Sequence, residues 1–232
     1  MDKKIMLITG TRKGIGRGLA EHYLDKGYTI IGCSRGSNEL YHENYEHYEL
    51  DVSDEKSVKK MVNDVFKKFK KIDILINNAG MASMNHVFLT PLSTVEKVFK
   101  TNFFGTFLFS REVSKIMSRQ KYGRIINTTT VAVPLKIEGE AVYAASKSAI
   151  ETFTKVIAKE LASFNITCNC IGPSPVYTDL IKSVPEDKIQ NIVDDLSIHR
   201  LGEFNDVINI INFLIKEESN YITGQTIYLG GA

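Results

Sequence analysis

The chain has 232 residues, of which 43% are hydrophobic and 24% are charged, so a full core can form and extensive disorder is excluded. Its formal net charge of +2 provides no broad basic surface, which argues against nucleic acid or an anionic membrane as the main partner. Three cysteines cannot cross-link a domain of this size, and no apolar run approaches the ~18 residues of a membrane span. The apolar run near the amino terminus is too short for a signal peptide, so we expect a cytoplasmic protein.

Short apolar runs alternate with segments of helical periodicity along the whole chain. Seven runs are typical of buried strands, at residues 4–9, 28–33, 45–51, 72–76, 124–128, 166–171 and 226–229. Helices are predicted from the glycines after the first strand to Gly27, from Ser53 onward, and over 95–118, 142–163 and 207–216. This alternation predicts one α/β domain over residues 1–232, with a doubly wound parallel sheet of about seven strands and helices on both faces.

One segment, at residues 174–200, breaks the alternation. It contains Pro175 and Pro185 together with scattered apolar side chains. We interpret it as a partly helical flap over a ligand crevice, with plain packing on the protein surface as the alternative.

A glycine-rich loop joins the first strand to the first helix, with the sequence Thr9-Gly10-Thr11-Arg12-Lys13-Gly14-Ile15-Gly16. Gly10 permits a tight turn, Gly14 lets the backbone approach a pyrophosphate, and Gly16 lets helix and strand pack closely. The helix N-terminus then offers unpaired N–H groups and partial positive charge to phosphates. A tight turn without a ligand is the alternative, but the position of the loop in an alternating chain favours dinucleotide binding.

The end of the second predicted strand indicates which dinucleotide is bound. A site for NAD usually offers an acidic side chain there to the ribose 2′-hydroxyl, whereas this chain has Cys33-Ser34-Arg35, with Lys13 in the glycine-rich loop. Arg35 and Lys13 would neutralise a 2′-phosphate, and Ser34 would hydrogen-bond it. The sequence therefore favours NADP(H) over NAD(H); the alternative for Arg35 is an ordinary solvated charge.

Tyr143 and Lys147 lie four residues apart on a predicted helix and therefore share a face. A lysine cation beside a phenol stabilises the phenolate and would lower the pKa of the tyrosine from ~10 toward neutrality. Such a tyrosine could pass a proton to or from a carbonyl or alcohol oxygen. A pair with this spacing also arises by chance, so its meaning depends on the motifs around it.

Several motifs occur together and in order: the glycine-rich loop, Asn77-Asn78-Ala79-Gly80, Asn102, the Tyr143/Lys147 pair, and Tyr221-Ile222-Thr223-Gly224-Gln225. With them the sequence closely resembles the short-chain dehydrogenase/reductase family over nearly its whole length. The resemblance implies a Rossmann-type fold and an NADP-dependent oxidoreductase that transfers hydride between NADP(H) and a carbonyl or secondary alcohol. It also implies a homotetramer, paired through the helices around 95–118 and 142–163.

The resemblance assigns roles to individual residues. Tyr143 would be the catalytic acid/base, and Lys147 would lower its pKa and hold the nicotinamide ribose. Asn102, at a kink in its helix, would position a water behind Lys147. Asp51 and Val52 would hold the adenine, and the segment from Ile171 to Thr178 would hold the nicotinamide carboxamide. The full set of cofactor-binding residues would be Gly10, Thr11, Arg12, Lys13, Gly14, Ile15, Gly16, Ser34, Arg35, Asp51, Val52, Asn77, Asn78, Ala79, Gly80, Tyr143, Lys147, Pro173, Val176 and Thr178.

Two positions depart from the family pattern. The family usually has serine thirteen positions before the tyrosine, where this chain has Thr130. Threonine keeps the hydroxyl that donates to the substrate oxygen, but its methyl group narrows the pocket, so we expect retained activity with altered substrate choice. The neighbouring Thr128 and Thr129 are expected to pack within the strand. Ser174 replaces a common glycine, a change that would stiffen the hinge of the flap.

Among members of the family, the chain looks most like 3-oxoacyl-acyl-carrier-protein reductases, through Tyr143-Ala144-Ala145-Ser146-Lys147 and Arg200-Leu201-Gly202-Glu203. Carrier proteins are acidic, so their reductases need a basic docking surface. Lys121 lies where such an anchor is expected, but Phe164 stands where an arginine is expected. Small ketones, sugars and secondary-metabolite carbonyls remain alternative substrates, and reduction is the expected direction because NADP pools are generally kept reduced.

A catalytically idle NADP-binding redox sensor is the rival hypothesis from another class of protein. It predicts an intact nucleotide loop beside a decayed active site, whereas Asn102, Tyr143 and Lys147 are all present here. The five histidines lack the spacing of metal ligands, so no metal site is expected.

Overall fold

A computed structural model describes residues 3–176 and 186–232. Its centre is a parallel sheet of seven strands in the order β3-β2-β1-β4-β5-β6-β7. The strands are β1 (Ile5–Thr9), β2 (Thr29–Ser34), β3 (Tyr45–Glu49), β4 (Ile74–Asn77), β5 (Gly123–Thr128), β6 (Ile166–Gly172) and β7 (Thr226–Tyr228). The chain reverses its direction of progress across the sheet between β1 and β4, which is where a doubly wound sheet forms its ligand crevice. The predicted α/β fold class is confirmed.

The helices pack on both faces of this sheet. They are α1 (Gly14–Asp25), α2 (Glu55–Phe69), α3 (Leu92–Phe99), α4 (Gly105–Gln120), α5 (Ala132–Leu135), α6 (Ala141–Leu161), α7 (Glu186–Asp194) and α8 (Phe204–Ile215). Successive side chains of a strand point to opposite faces, so Leu7 packs in the core beneath α2, α4 and α6, whereas Met6 packs beneath α1 and α8. Within the described ranges, no helix is long and apolar enough to cross a membrane.

The edge strand β3 differs from the central strands. β1, β4 and β6 are buried along their whole length because both of their faces are covered. In contrast, β3 pairs only with β2, and its sequence Tyr-Glu-His-Tyr-Glu leaves polar side chains partly exposed. The strand ends at Glu49 rather than at the predicted residue 51, because its pairing ends with Ser34 opposite Glu49.

The helix predicted over 95–118 is interrupted. It begins earlier, at Leu92 directly after Pro91, and a π-helical turn at Lys100–Phe104 separates α3 from α4. A π-turn widens the helix by one residue and often marks a functional position. Apolar periodicity alone did not reveal the interruption, although the kink implied at Asn102 by the family resemblance lies inside this turn.

The segment predicted as a flap follows β6. Val176 forms a bridge to Gly202, and α7 buries Ile192 and Val193, so the described part of the segment contains one helix; its action as a flap stays a prediction. Pro185 and Thr178 lie outside the described residues.

Candidate active site

A cleft of about 400 Å³ opens at the carboxyl ends of the central strands. Loops that follow parallel strands meet at one edge of the sheet, so segments distant in sequence come together there. We call the part around residues 10–16 and 34–35 the nucleotide end, and the part around residues 128–130 and α6 the catalytic end. Most of the predicted site residues line this cleft: Gly10, Arg12, Lys13, Gly14, Ile15, Ser34, Arg35, Asp51, Val52, Asn78, Ala79, Gly80, Thr130, Tyr143, Lys147, Pro173 and Val176.

The other predicted residues lie behind the cleft wall or outside the described ranges. The hydroxyl of the buried Thr11 lies 3.0 Å from the Tyr45 hydroxyl. Gly16 packs so closely that a Cβ there would collide with the carbonyl of Gly10, which matches its predicted packing role. The buried amide of Asn77 donates to Ser110 (2.9 Å) and Asn127 (2.8 Å), so this side chain supports the sheet and does not reach the cleft. Thr178 is outside the described residues.

The glycine-rich loop leaves the start of α1 free to receive an anion. Gly10 and Gly14 adopt φ values of +78° and +60°, which only glycine adopts readily. Lys13 occupies the N-cap position without a side-chain hydrogen bond, and the first turn of α1 has no acidic residue. The helix N-terminus therefore faces the cleft with unshielded N–H groups and positive dipole, as a phosphate site requires.

Cations surround the ribose position of the nucleotide end. Arg12, Lys13 and Arg35 are exposed, and none of them pairs with a carboxylate within residues 3–176 or 186–232. The hydroxyl of Ser34 donates to the carbonyl of Gly36 (2.7 Å). At this end, unpaired positive charge faces a cleft that has no acidic residue at the end of β2, which suits a 2′-phosphate better than a 2′-hydroxyl.

The loops after β3 and β4 form the wall between the two ends. The Asp51 carboxylate accepts from the N–H (2.8 Å) and hydroxyl (2.7 Å) of Ser53, which fixes it at the rim. The side chain of Asn78 donates to the carbonyl of Thr9 (2.9 Å), and the Thr9 hydroxyl accepts from the N–H groups of Asn78 and Ala79. These bonds tie β4 to β1 at the point where the crevice opens.

The catalytic end combines two hydroxyls and a buried amine. Tyr143 and Thr130 both line this end, and the Thr130 hydroxyl acts to lower the pKa of the phenol. Lys147 is only 4% exposed, donates to the carbonyl of Thr128 (2.7 Å) and places its Nζ 6.0 Å from the centre of the Tyr143 ring. The predicted proximity of the phenol and the amine is confirmed.

The pKa values at this end differ from the expectation drawn from the sequence. Burial raises the pKa of Tyr143 to about 12, although the hydrogen bond with Thr130 acts in the opposite direction. Burial also lowers the pKa of Lys147 to about 8, against an opposing effect of Cys170. Desolvation of the phenol dominates in this arrangement, and the amine is directed at a backbone carbonyl, so a lowering of the Tyr143 pKa by Lys147 stays a prediction.

Asn102 holds the loop after β4 against α6. The residue is fully buried in the π-helical turn. Its Oδ1 accepts from the N–H of Met81 (2.8 Å), while its Nδ2 donates to the Met81 carbonyl (3.0 Å) and to the Ser146 hydroxyl (2.9 Å). Ser146 in turn donates to the carbonyl of Tyr143 (2.7 Å). The Asn102 side chain thereby connects the cleft wall to α6, the helix that carries Tyr143 and Lys147.

The sequence patterns did not indicate Glu151, a residue of α6 that holds the segment after β5. Glu151 is buried and accepts from the hydroxyls of Thr129 (2.5 Å) and Tyr228 (2.7 Å). Thr129 was expected only to pack within the strand, but its hydroxyl is held by this carboxylate. The available signal was spacing: Tyr143, Lys147 and Glu151 follow one another at intervals of four residues on α6 and share a face.

The segment after β6 closes the catalytic end. Pro173 and Val176 line the cleft as predicted, together with Ile189 and Ile192 of α7. Ser174 is buried against Gly202, where a Cβ would collide with its hydroxyl, so this serine holds the start of the flap by packing. The described residues contain no cluster of three metal-ligating side chains.

Comparisons with known proteins agree with this geometry. The family model for short chain dehydrogenase matches residues 4–189. The 3-oxoacyl-[acyl-carrier-protein] reductase FabG of Escherichia coli K12 is 31% identical over 98% of this chain and 96% of its own, and that of Staphylococcus epidermidis is 32% identical over 98% of both. The solved structure of ElxO with NADP bound superposes with a TM-score of 0.90 at 31% identity, covering 98% of this chain and 97% of ElxO. The ligand-free aldohexose dehydrogenase of Thermoplasma acidophilum gives 0.90 at 29% identity, covering 99% and 93% of the two chains.

The fold and the cleft define a Rossmann-type oxidoreductase, with a glycine-rich anion site at one end and a tyrosine–lysine pair at the other. The matched model and the relatives make the assignment more specific: the chain belongs to the short-chain dehydrogenase family.

Proposed function

We propose that this protein is an NADPH-dependent ketoreductase, with a 3-oxoacyl thioester as the first candidate substrate. The observation that carries the proposal is that the Tyr143 and Thr130 side chains and the buried Lys147 line one cleft together with an uncapped, glycine-rich helix start.

The nucleotide end fits NADP(H). The free N–H groups at the start of α1 suit the pyrophosphate, and Arg12, Lys13 and Arg35 supply the positive charge that a 2′-phosphate needs. ElxO, which is similar along almost its entire length, has NADP bound in its structure. When bound, this cofactor supplies the hydride that reduces the carbonyl carbon.

At the catalytic end, the residues would stabilise the negative charge that develops on the substrate oxygen and would donate a proton to it. With its pKa raised to about 12, Tyr143 keeps its proton at neutral pH and is suited to act as the acid in carbonyl reduction. Thr130 would donate a second hydrogen bond to the same oxygen, a type of contact worth about 3–4 kcal/mol when it meets developing charge. Lys147 would hold the nicotinamide ribose and favour the phenolate left after proton transfer. Asn102 would complete the proton path through a water.

The substrate class rests on the relatives named as 3-oxoacyl-[acyl-carrier-protein] reductases. The position of Lys121 bears on whether an acidic carrier protein could dock beside the cleft. Lys121 lies two residues before the amino end of β5, at the sheet edge opposite the cleft, and its Nζ lies 4.5 Å from the centre of the Phe164 ring. Lys121 therefore adds no basic surface to the cleft of its own chain. A sugar or another ketone is the second candidate, favoured by the similarity to aldohexose dehydrogenase.

The test is consumption of NADPH, followed by absorbance, against a panel of 3-oxoacyl thioesters on carrier protein and on coenzyme A, sugar ketones and small ketones. We expect turnover of at least one thioester. Tyr143→Phe should bind NADPH normally but lose about 10²–10⁴ in turnover because it lacks the proton donor. Binding of NADPH without turnover of any carbonyl would favour the redox sensor, and near-normal turnover by Tyr143→Phe would overturn the catalytic assignment.

By the same resemblance we propose a homotetramer, a single domain per chain, located in the cytoplasm. Phe104, the last residue of the π-helical turn before α4, and Val156 of α6 are exposed, which supports pairing through these helices. Light scattering after size-exclusion chromatography should give a mass of four chains. A monomer at micromolar concentration would contradict the assembly.

A further inference from the structure

His47 on the edge strand β3 carries a hydrogen-bond network that reaches the nucleotide end. Its Nδ1 lies 2.9 Å from the Tyr45 hydroxyl, and its Nε2 lies 3.0 Å from the Ser34 hydroxyl and 3.1 Å from the carbonyl of Gly36. The rings of Tyr45 and His47 stack, with their centres 6.0 Å apart. One half-buried side chain therefore links β3 to the turn after β2, which carries Arg35.

The partners determine the hydrogen-bond roles of the neutral ring. A carbonyl oxygen can only accept, so the Nε2–H group donates a hydrogen bond to the carbonyl of Gly36. The unprotonated Nδ1 then accepts a hydrogen bond from the Tyr45 hydroxyl. The Ser34 hydroxyl also donates to Gly36, at 2.7 Å. The carbonyl of Gly36 thus has two donors, one from serine and one from histidine.

This double donation matters because Ser34 has a single proton. While that proton is directed at Gly36, Ser34 offers a phosphate only lone pairs. When the hydroxyl turns toward the cleft, the carbonyl of Gly36 still receives the N–H of His47, so no backbone group loses its last partner. Because of His47, the Ser34 hydroxyl can donate toward the cleft while the carbonyl of Gly36 keeps a hydrogen bond.

The orientation of His47 is fixed from its other side. The Tyr45 hydroxyl accepts from the Asn38 amide (2.8 Å) and lies 3.0 Å from the Thr11 hydroxyl in the glycine-rich loop. Gly32, the register partner of His47 on β2, leaves room for this contact, because a Cβ there would collide with both hydroxyls. The ring is therefore held in place whether or not Ser34 is bonded to it.

We propose that His47 is a positioning residue for selectivity toward NADP(H): by donating to the carbonyl of Gly36 it releases the Ser34 hydroxyl to the 2′-phosphate. NAD(H) has a 2′-hydroxyl at this position, which can itself donate to Ser34 and does not need the serine proton. Loss of His47 therefore weakens the binding of NADPH and leaves the binding of NADH nearly unchanged. This inference rests on the proposed seat of the 2′-phosphate at Ser34 and Arg35.

The test is calorimetric titration of NADPH and NADH into the full chain and its variants, with no carbonyl substrate. His47→Phe keeps a stacked ring of similar size but loses both nitrogens. We expect NADPH to bind about tenfold more weakly, since a hydrogen bond to a charged group is lost, and NADH to bind within about twofold of normal. His47→Gln, whose amide can donate to Gly36, should recover most of the NADPH affinity.

A double-variant comparison identifies the route of the effect. If His47 acts through Ser34, Ser34→Ala and Ser34→Ala/His47→Phe should bind NADPH equally. Tyr45→Phe, which removes only the hydroxyl that holds Nδ1, should give a smaller loss in the same direction. Equal weakening of both cofactors, additive losses in the double variant, or unchanged NADPH affinity in His47→Phe would each overturn the inference.

Arg35→Ala separates this inference from the function on which it rests. If Arg35→Ala leaves NADPH binding intact, the proposed phosphate seat is wrong and the role of His47 is wrong with it. If Arg35→Ala weakens NADPH while His47→Phe does not, the seat stands and only the role of His47 is refuted.

Discussion

At the nucleotide end of the cleft the cations Arg12, Lys13 and Arg35 are exposed, whereas at the catalytic end Lys147 is 4% exposed and Asn102 is fully buried. The exposed cations act through charge that salt and water screen. The buried groups act through desolvation and fixed hydrogen bonds, which shift the pKa values of Tyr143 and Lys147 in opposite directions. One cleft therefore combines a solvated, charged end, suited to selecting a cofactor, with a buried, hydrogen-bonded end, suited to holding a proton donor in one position.

The largest expected effect lies at the catalytic end. Thr130→Val keeps the shape of the side chain but removes the hydroxyl that contacts Tyr143 and would meet the substrate oxygen. We expect turnover to fall by about 10²–10³, with NADPH affinity unchanged, in initial-rate and binding measurements. Thr130→Ser restores the hydroxyl and should retain most of the activity. A valine variant with normal turnover would show that this hydroxyl has no part in the reaction.

Two asparagines offer a matched comparison of stability between the ends. Asn102 bonds Met81 and Ser146 in the core, while Asn38 bonds Thr11 and Tyr45 in a half-exposed position. Asn102→Ala leaves the partly buried backbone of Met81 and the buried Ser146 hydroxyl without this partner and should lower the free energy of unfolding by about 2–3 kcal/mol. Water can replace much of the hydrogen bonding of the half-exposed Asn38, so Asn38→Ala should cost about 1 kcal/mol. Urea denaturation measures both. Equal losses would remove the contrast between a rigid and an open end.

At the nucleotide end, Arg35→Glu places a negative charge where a 2′-phosphate would bind. NADPH affinity should fall by about 10- to 100-fold, while NADH affinity rises or stays constant. Because the group is exposed, the loss caused by the neutral control Arg35→Ala should shrink at high salt. Calorimetry at two ionic strengths measures both effects. A salt-independent loss would indicate a buried contact instead of an exposed one.

The last prediction concerns pH at the catalytic end. Burial lowers the pKa of Lys147 to about 8, so its cation is present below that pH and is lost as the pH rises through it. The rate of carbonyl reduction should therefore decline by about tenfold per pH unit above that value if the cation is required. Tyr143 keeps its proton throughout, since its pKa is about 12. Lys147→Arg stays charged, and its rate, even if lower, should show no such decline; an unchanged decline would assign it to another group.

Much of the fold could be predicted because it depends on local patterns. Continuous apolar runs such as the one that forms β1 and the glycine-rich loop before α1 are visible in the sequence itself. The edge position of β3 and the π-helical turn around Asn102 were less visible, since neither changes the spacing of apolar residues enough to be recognised.

In the candidate site, too, features set by local sequence were predictable, and features set by contacts between distant segments were not. Residue types and spacing predicted that Tyr143 and Lys147 would meet, but not the sign of the pKa shift of Tyr143, which depends on burial by distant segments. Likewise, nothing near Glu151 in the sequence indicates Thr129 and Tyr228 as its partners, because those contacts exist only after β5, α6 and β7 are assembled.

One face of α6 contacts Thr128, the last residue of β5, and the two residues that follow it. Tyr143 meets the side chain of Thr130, Lys147 the carbonyl of Thr128, and Glu151 the side chain of Thr129. The three residues stand on successive turns of α6, about 5.4 Å apart, so a shift of the helix along its axis would break all three contacts. In protein engineering, residues 128–130 and the facing turns of α6 should therefore be transplanted or randomised together, as one structural unit.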